Sequence, residues 1–441
     1  MIEEELQRKL SDSQELGAPP YVPREGRVSV VDYMVSTIIG ARRAGKSFRA
    51  LQLVDELRAR GCIDSPAQVC RVDFDNPILG AMTAADLRCI ERVFLRRNPD
   101  YGLRTPLVFL FDEIHRIAGW EDYVIDLSRN RRWKVIVTGS SSKLLRNDVA
   151  TALRGKAVSS TVYPLSFSEY LRFTGTDIDL RSSRGHALLR RRFDAYLAWG
   201  GYPAMPGVDE HAREALLRDY FDTMVLKDII QRFDVGKPAQ CLQLYHHLLA
   251  SMGRPCTLKS AYGFLKQHGN ATSRDAVRRY IAWAEDAWFL FMAPIHSDSH
   301  KEQERNYRKV YCIDWALAIR NSMVWDGSYS RALENMVFIH LLRRYPRVRY
   351  YLTRRTRQEV DFVATDARGR SVLAIQVCMD ISHADTLRRE IEPLAATARY
   401  FGIKENLILT MGAEQSFSRS GVKVKALPVW RWLLEEAPAA K

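Results

Sequence analysis

The sequence has no C-x-x-C pair and no clustering of cysteine with histidine. Its seven cysteines (Cys62, Cys70, Cys89, Cys241, Cys256, Cys312 and Cys378) are scattered and odd in number. That speaks against a zinc-thiolate centre and a disulfide framework, and it reads as free thiols in a reducing cytoplasm. No stretch reaches the roughly 18 uninterrupted apolar residues of a membrane helix. The start, Met1-Ile2-Glu3-Glu4-Glu5, is acidic and lacks the apolar segment of a secretory signal. A cytoplasmic protein without a membrane partner is therefore expected. There is no internal repeat, no low-complexity tract and no Ser-His-Asp arrangement, so neither a repeat architecture nor triad hydrolase chemistry is indicated. Acidic residues are also in deficit. Against 66 Lys and Arg stand 52 Asp and Glu, a net charge of +14, which favours polyanionic partners.

What is present begins with Gly40-Ala41-Arg42-Arg43-Ala44-Gly45-Lys46-Ser47, a match to G-x-x-x-x-G-K-[S/T]. The apolar run Val35 to Ile39 reads as a buried strand entering the loop. Phe48 to Arg60 reads as an amphipathic helix leaving it, with Leu51, Val54 and Leu57 on one face. In that order, loop amides and the helix N-terminus surround the β- and γ-phosphates of a nucleotide. Lys46 adds positive charge there, and Ser47 offers a hydroxyl to Mg²⁺. Val69 to Phe74 reads as a second strand. Leu107-Val108-Phe109-Leu110-Phe111-Asp112-Glu113 is an apolar strand ending in two carboxylates, about 65 residues beyond the loop. Asp112 is expected at Mg²⁺ and Glu113 at the water that attacks the γ-phosphate. Lys134 to Ser142 reads as a further strand with a polar end. Thr138 or Ser140 there is a candidate γ-phosphate or water contact, the alternative being an ordinary β–α turn of small residues.

Residues 1 to about 30 read as a peripheral lead-in punctuated by Pro19, Pro20 and Pro23. Ser166 and Glu169 are spaced as a capping box. A helix over Phe193 to Trp199 runs into the turn Gly200-Gly201-Tyr202-Pro203. Tyr220 to Val235 is helical, with Lys227, Asp228 and Arg232 expected at the surface or at a domain contact. Three helices follow: Cys241 to Met252, Thr257 to His268, and Ser273 to Leu290 with Ser273 as N-cap. Arg274, Arg278 and Arg279 lie largely on one face of the third. They suit DNA phosphates or guanine edges in a winged helix-turn-helix, or else a solvated face of a helical bundle that makes protein contacts. Further on, strands are expected at Val310 to Asp314, Arg349 to Leu352 and Leu407 to Thr410. Helices are expected over Arg331 to Arg344 and from Asp385. Glu359 to Val363 and Val372 to Val377 form a hairpin around Arg368-Gly369.

The succession GARRAGKS, FLFDEIH, VIVTGSSSKLL, LRGK, YPLSFSEYL and WGGYP resembles the prokaryotic AAA-type ATPases that carry a DUF4143 C-terminal domain. The resemblance covers about residues 30 to 435. It implies an α/β fold: a P-loop NTPase parallel sheet with a helical lid, a winged helix-turn-helix, and a C-terminal restriction-endonuclease-like α/β domain. The implied boundaries are 1–30 for the lead-in, 31–165 for the ATPase core, 166–235 for the lid, 236–300 for the winged helix and 301–441 for the nuclease-fold domain. ATP, Mg²⁺, DNA and a homo-oligomer, with a hexamer favoured, are the implied cofactors and partners. Family members present a basic group after the strand that matches Lys134 to Ser142, to a neighbouring subunit's nucleotide. Here Arg154 is one register off and Lys156 stands where arginine is usual, without arginine's planar fork. In active nuclease relatives a helix acid, a strand Asp and a Glu/Gln-x-Lys hold a divalent metal. Glu334, Asp361 and Gln376 match, whereas Cys378 occupies the lysine position and cannot supply an ammonium. The resulting expectation is an ATP-hydrolysing, DNA-associated machine. The alternatives are a nucleotide-dependent switch that recruits a protein and, last, an ATP-regulated nuclease.

Overall fold

The computed structural model describes residues 2–17, 19–140, 153, 155–270, 272–297, 299–324, 327 and 329–435. The chain divides into two compact units, Met1–Val162 and Tyr163–Lys441.

The first unit is built on a five-stranded sheet. Its strands are β1 (Val35–Ile39), β2 (Val69–Asp73), β3 (Leu107–Asp112), β4 (Trp133–Gly139) and β5 (Ala157–Thr161), in the order β2-β3-β4-β1-β5. Every pairing is parallel. β1 and β3 are buried along their whole length, as strands covered on both faces must be. Their uninterrupted apolar runs are the signature of that position. The helices α2 (Lys46–Ala59), α3 (Arg88–Arg97) and α4 (Trp120–Ser128) alternate with the strands. Two features depart from the sequence reading. The lead-in contains a helix, α1 (Ile2–Leu16), whose Leu6 and Leu10 are fully buried one turn apart. It packs on β2 and α3, so it is part of the core layer rather than peripheral. β5 is an edge strand of small and polar residues, Ala-Val-Ser-Ser-Thr, too weakly apolar to announce itself.

The second unit opens with α5 (Phe167–Phe173), where Ser166 and Glu169 do form a reciprocal capping box. α6 (Ser183–Trp199) and α7 (Glu210–Thr223) follow, and α7 continues as a π-helical stretch, Met224–Gln231. On and just after that stretch Lys227 is exposed, Arg232 half-buried and Asp228 buried, so of the three only Asp228 is withdrawn from the surface. Next come α8 (Pro238–Ala250), β6 (Pro255–Cys256), α9 (Leu258–Gln267), α10 (Arg274–Asp286), β7 (Leu290–Ala293), α11 (His300–Arg305) and β8 (Arg308–Cys312). α10 ends at Asp286, because the chain turns through Trp288 at φ 58° and Leu290 begins a strand. β6, β8 and β7 form a small sheet in that order, both pairings antiparallel.

α12 (Trp315–Asn321) and α13 (Ser330–Leu342) lead into a six-stranded mixed sheet. Its members are β9 (Arg347–Leu352), β10 (Glu359–Thr365), β11 (Ser371–Val377), β12 (Glu405–Thr410), β13 (Gln415–Arg419) and β14 (Val422–Pro428), ordered β13-β14-β12-β11-β10-β9. α14 (Ala384–Phe401) crosses from β11 to the parallel β12, and α15 (Val429–Glu435) closes the described chain. The β10–β11 hairpin forms as expected. Beyond β12 the chain supplies two more strands and a helix, so the sheet continues past it.

Candidate functional site

β1 delivers the chain into the loop at Gly40, whose φ of 145° and whose closeness to the Val162 carbonyl leave no room for a Cβ. Gly45, in the left-handed region, turns the backbone into α2 at Lys46. Lys46 is 5% exposed. Its Nζ donates to the Ala41 carbonyl at 3.2 Å and lies 3.4 Å from Glu113 Oε1. Arg24 braces the loop from behind, its guanidinium donating to the Ala44 carbonyl at 2.7 Å. Its backbone N–H and carbonyl are both held by Gln52 of α2. Sequence reading missed Arg24, because nothing local marks an arginine 16 residues before a loop as its support.

Across from the loop, β3 ends in Asp112 and Glu113. Thr138 on the neighbouring β4 organises both: its hydroxyl donates to Asp112 Oδ1 and accepts the Glu113 backbone N–H at 3.0 Å. The residue flagged on β4 is thus a support for the two acids. Asp112 is 6% exposed, with no cation in ion-pair distance among the described residues. A buried carboxylate in that condition is costly unless a cation meets it. Asp73 at the end of β2, paired in register with Asp112, has its carboxyl pushed up by burial and by that neighbour. Glu113 has φ 52° and ψ 34°, a left-handed conformation that costs a non-glycine residue of order 1 kcal/mol. Burial pushes its carboxyl up, but Lys46, then His115 and Arg42, outweigh burial and hold it below the ordinary value. His115 Nδ1 stands 3.3 Å from Glu113 Oε2, a neighbour that sequence reading did not single out.

Ser47 is half-buried on the first turn of α2, and Ser140 is buried at the end of β4. Ala41 and Ala44 are buried, while Arg42 and Arg43 lie nearer the surface. Lys156 is exposed; Arg154, Ser141 and Ser142 lie outside the described residues. The arrangement fits a triphosphate with its Mg²⁺. Loop amides and an ammonium stand at the start of a 14-residue helix, with a hydroxyl beside them and a buried carboxylate opposite.

Two further groupings belong to the second unit. Arg274 and Arg278 of α10, Lys259 of α9 and Arg308 of β8 line a cavity of about 700 Å³, with Glu285 and Glu304 also at its wall. Arg279 is exposed but is not part of that lining.

The other grouping is acidic. Lys309 of β8, 1% exposed, reaches Glu334 Oε1 of α13 at 2.5 Å. It also reaches Glu359 Oε1 at 2.9 Å and Asp361 Oδ1 at 3.2 Å, both on β10. Tyr311 and Tyr307 donate to Glu334 and Glu359. Burial pushes the Glu334 carboxyl up to about 7. Glu334 and Asp361 therefore converge as expected, but on a lysine. Gln376 accepts the Asp361 backbone N–H and donates to Glu390 of α14, which Arg389 also binds. Cys378 packs in the apolar core against Val360 and Ile381, and burial pushes its thiol up to about 12, so it stays neutral. Lys309 and Glu359 were not found from sequence, because the lysine lies 25 to 52 positions from its partners.

A parallel sheet that feeds a Gly-Lys-Ser loop from an interior strand, with two acids at the end of β3 one strand beyond its neighbour, forms the nucleotide site of a P-loop protein. The family models agree. Residues 32–171 match the model of an AAA domain, 190–324 that of a domain of unknown function (DUF8612), and 329–432 that of a domain of unknown function (DUF4143). The chain thus carries an AAA domain of the P-loop type and, after it, a DUF4143 domain. An uncharacterized protein of Methanocaldococcus jannaschii is 24% identical over 94% of this chain and 91% of its own length. One of Haemophilus influenzae is 27% identical over 79% and 83%. Among solved structures, a Walker-type ATPase of Pyrococcus abyssi is similar over 72% of this chain and 94% of its own, with 14% identity and a TM-score of 0.42.

Proposed function

We propose that the chain binds ATP, hydrolyses it, and couples hydrolysis to movement of its domains on DNA. The observation that carries the enzymatic part is the convergence of Lys46, Asp112 and Glu113 at the mouth of the loop, with Thr138 bonded to both acids. In this reading the amides of 40–47 and the Lys46 ammonium hold the phosphates. Ser47 and Asp112 would hold Mg²⁺, which supplies positive charge at the phosphates as negative charge moves to the leaving group. Glu113, kept ionised by its cationic neighbours, accepts the proton of the attacking water. Ser140 is the further contact to the γ-phosphate side. Arg154 or Lys156, from a neighbouring copy in a hexamer, completes the charge balance.

The DNA part rests on the second unit. We read the succession α8, β6, α9, α10, β7, β8, with the short α11 before β8 and with β6 and β7 flanking β8, as that of a winged helix-turn-helix. The basic cavity lies along its third helix. We therefore propose Arg274 and Arg278 as phosphate or base-edge contacts, joined by Lys259 and Arg308, and Arg279 as an outer phosphate contact. The nuclease reading is disfavoured. An ammonium fills the acidic cluster, and a neutral thiol stands at the lysine position.

The test is Mg²⁺-dependent ATP turnover with and without single-stranded, duplex and branched DNA, with the mass of the particle measured alongside. Stimulated turnover by an oligomer supports the reading. Turnover indifferent to DNA, with no gel shift at low salt in the presence of ATP, refutes the DNA part. Absence of any turnover or nucleotide affinity refutes the whole.

A further inference from the structure

The C-terminal sheet carries a second basic concavity, remote in sequence from α10 and sharing no residue with it. It is formed by the turn between β9 and β10, the last turns of α14, and the turn between β13 and β14, and it encloses about 580 Å³. Four guanidiniums line it: Arg354, Arg355, Arg399 and Arg419. Among the described residues one carboxylate does, Glu392, and Arg388 and Arg419 already bind its Oε1, each at 2.9 Å. Among the described residues Arg354, Arg355 and Arg399 have no carboxylate within ion-pair distance. Three uncompensated like charges around one hollow repel one another, and an anion in the hollow relieves that repulsion.

The hollow also presents an aromatic surface. Tyr400, 49% exposed, has the Arg354 guanidinium over its ring at 4.3 Å from the centroid. Beneath it Tyr351 lies nearly parallel, the ring centres 6.5 Å apart. The tyrosine pins Arg354, so that arginine loses little further freedom on binding a ligand. A planar guanidinium resting on an exposed ring is a platform for a third flat group.

We propose that this concavity binds single-stranded nucleic acid, with backbone phosphates on Arg355 and Arg399 and an unstacked base on the Arg354–Tyr400 pair. A duplex keeps its base faces covered and cannot use the platform, whereas a single strand can. The site goes beyond the groove along α10 and stands independently of it.

The experiment is polarisation of a labelled oligo(dT) of about 20 nucleotides, bound by the full-length chain at about 50 mM salt. Arg355→Glu with Arg399→Glu is expected to weaken binding at least tenfold. Tyr400→Ala, which leaves the charge unchanged, is expected to weaken it about five- to tenfold. Both variants should keep the parent melting temperature and ATP turnover, because the altered side chains are exposed and distant from the nucleotide loop in sequence. Inorganic phosphate at millimolar concentration should compete only weakly. Parent-like oligo(dT) affinity in both variants overturns the proposal. So does loss confined to the charge reversals, which would reduce the site to nonspecific attraction, or displacement of the oligonucleotide by phosphate alone. Arg274→Glu with Arg278→Glu, assayed on duplex in parallel, tests the α10 groove separately.

Discussion

Lys46 and Glu113 form an ion pair across the mouth of the loop, Nζ to Oε1 at 3.4 Å, with both side chains largely buried. Lys46 therefore helps to keep Glu113 ionised. Lys46→Ala is expected to lower ATP affinity at least tenfold, because a charge-assisted contact to phosphate is worth about 1.5–3 kcal/mol. It should also raise the Glu113 carboxyl pKa, since Lys46 is the first of the cations that offset burial there. Glu113→Gln should keep nucleotide binding and reduce turnover at least a hundredfold. Fluorescent-nucleotide titration and phosphate release separate the two effects. Parent-rate hydrolysis by Glu113→Gln would remove that residue from the mechanism.

Thr138 yields a second prediction. Its hydroxyl is shared between Asp112 and the Glu113 amide, so replacing it leaves a buried acceptor and a buried donor without a partner. Thr138→Val preserves shape and is expected to cost about 1–3 kcal/mol of stability and to slow turnover more than it weakens binding. Thr138→Ser should restore most of both. Equal kinetics in the valine and serine variants would make the residue merely a filler of β4.

The loop, its strand and both acids were legible because each is local. A continuous apolar run followed by glycine or by carboxylates states its own position in a parallel sheet. The Ser166–Glu169 box is equally local. What escaped was decided at a distance or by weak signals. α1 looks like solvated chain because Glu3, Glu4 and Glu5 precede its two buried leucines. β5 has no apolar run at all, and it is a strand because β1 offers it an edge. The end of α10 depends on Trp288 taking a positive φ, which no residue preference announces. The acidic cluster could be read only in half: its carboxylates sit in recognisable places, but the lysine that neutralises them arrives from a different sheet.

That lysine gives the third prediction. Lys309 is almost fully buried between three carboxylates from two elements. Removing one partner of a buried ion network leaves charge that nothing compensates, at a cost of about 3–5 kcal/mol. Lys309→Met should therefore destabilise the second unit by roughly that amount in urea. Lys309→Met combined with Glu334→Gln should recover part of the loss, because the added amide removes one of the stranded charges. A single mutant as stable as the parent would mean that water, and not the lysine, solvates the cluster. With the ammonium in place, Mn²⁺-dependent DNA cleavage is not expected; cleavage abolished by Asp361→Ala would reinstate the nuclease reading.

Glu334 adds a pH dependence whose sign is fixed. Burial lifts its carboxyl from 4.5 to about 7 in the folded chain. Between those values the folded state holds a proton that the unfolded state has released. The contribution of Glu334 is full below the unfolded value and disappears as pH rises through about 7. Glutamine at this position does not titrate. The stability of the parent relative to Glu334→Gln is therefore expected to fall as pH rises from about 5 to about 8, whatever the constant offset between them. Burial also raises Asp361, so the variant keeps some slope of its own in the same direction. Urea midpoints of both proteins across that range provide the measurement. Parallel curves would mean that Lys309 holds Glu334 ionised throughout, and that the cluster is a permanent ion network with no proton to lose.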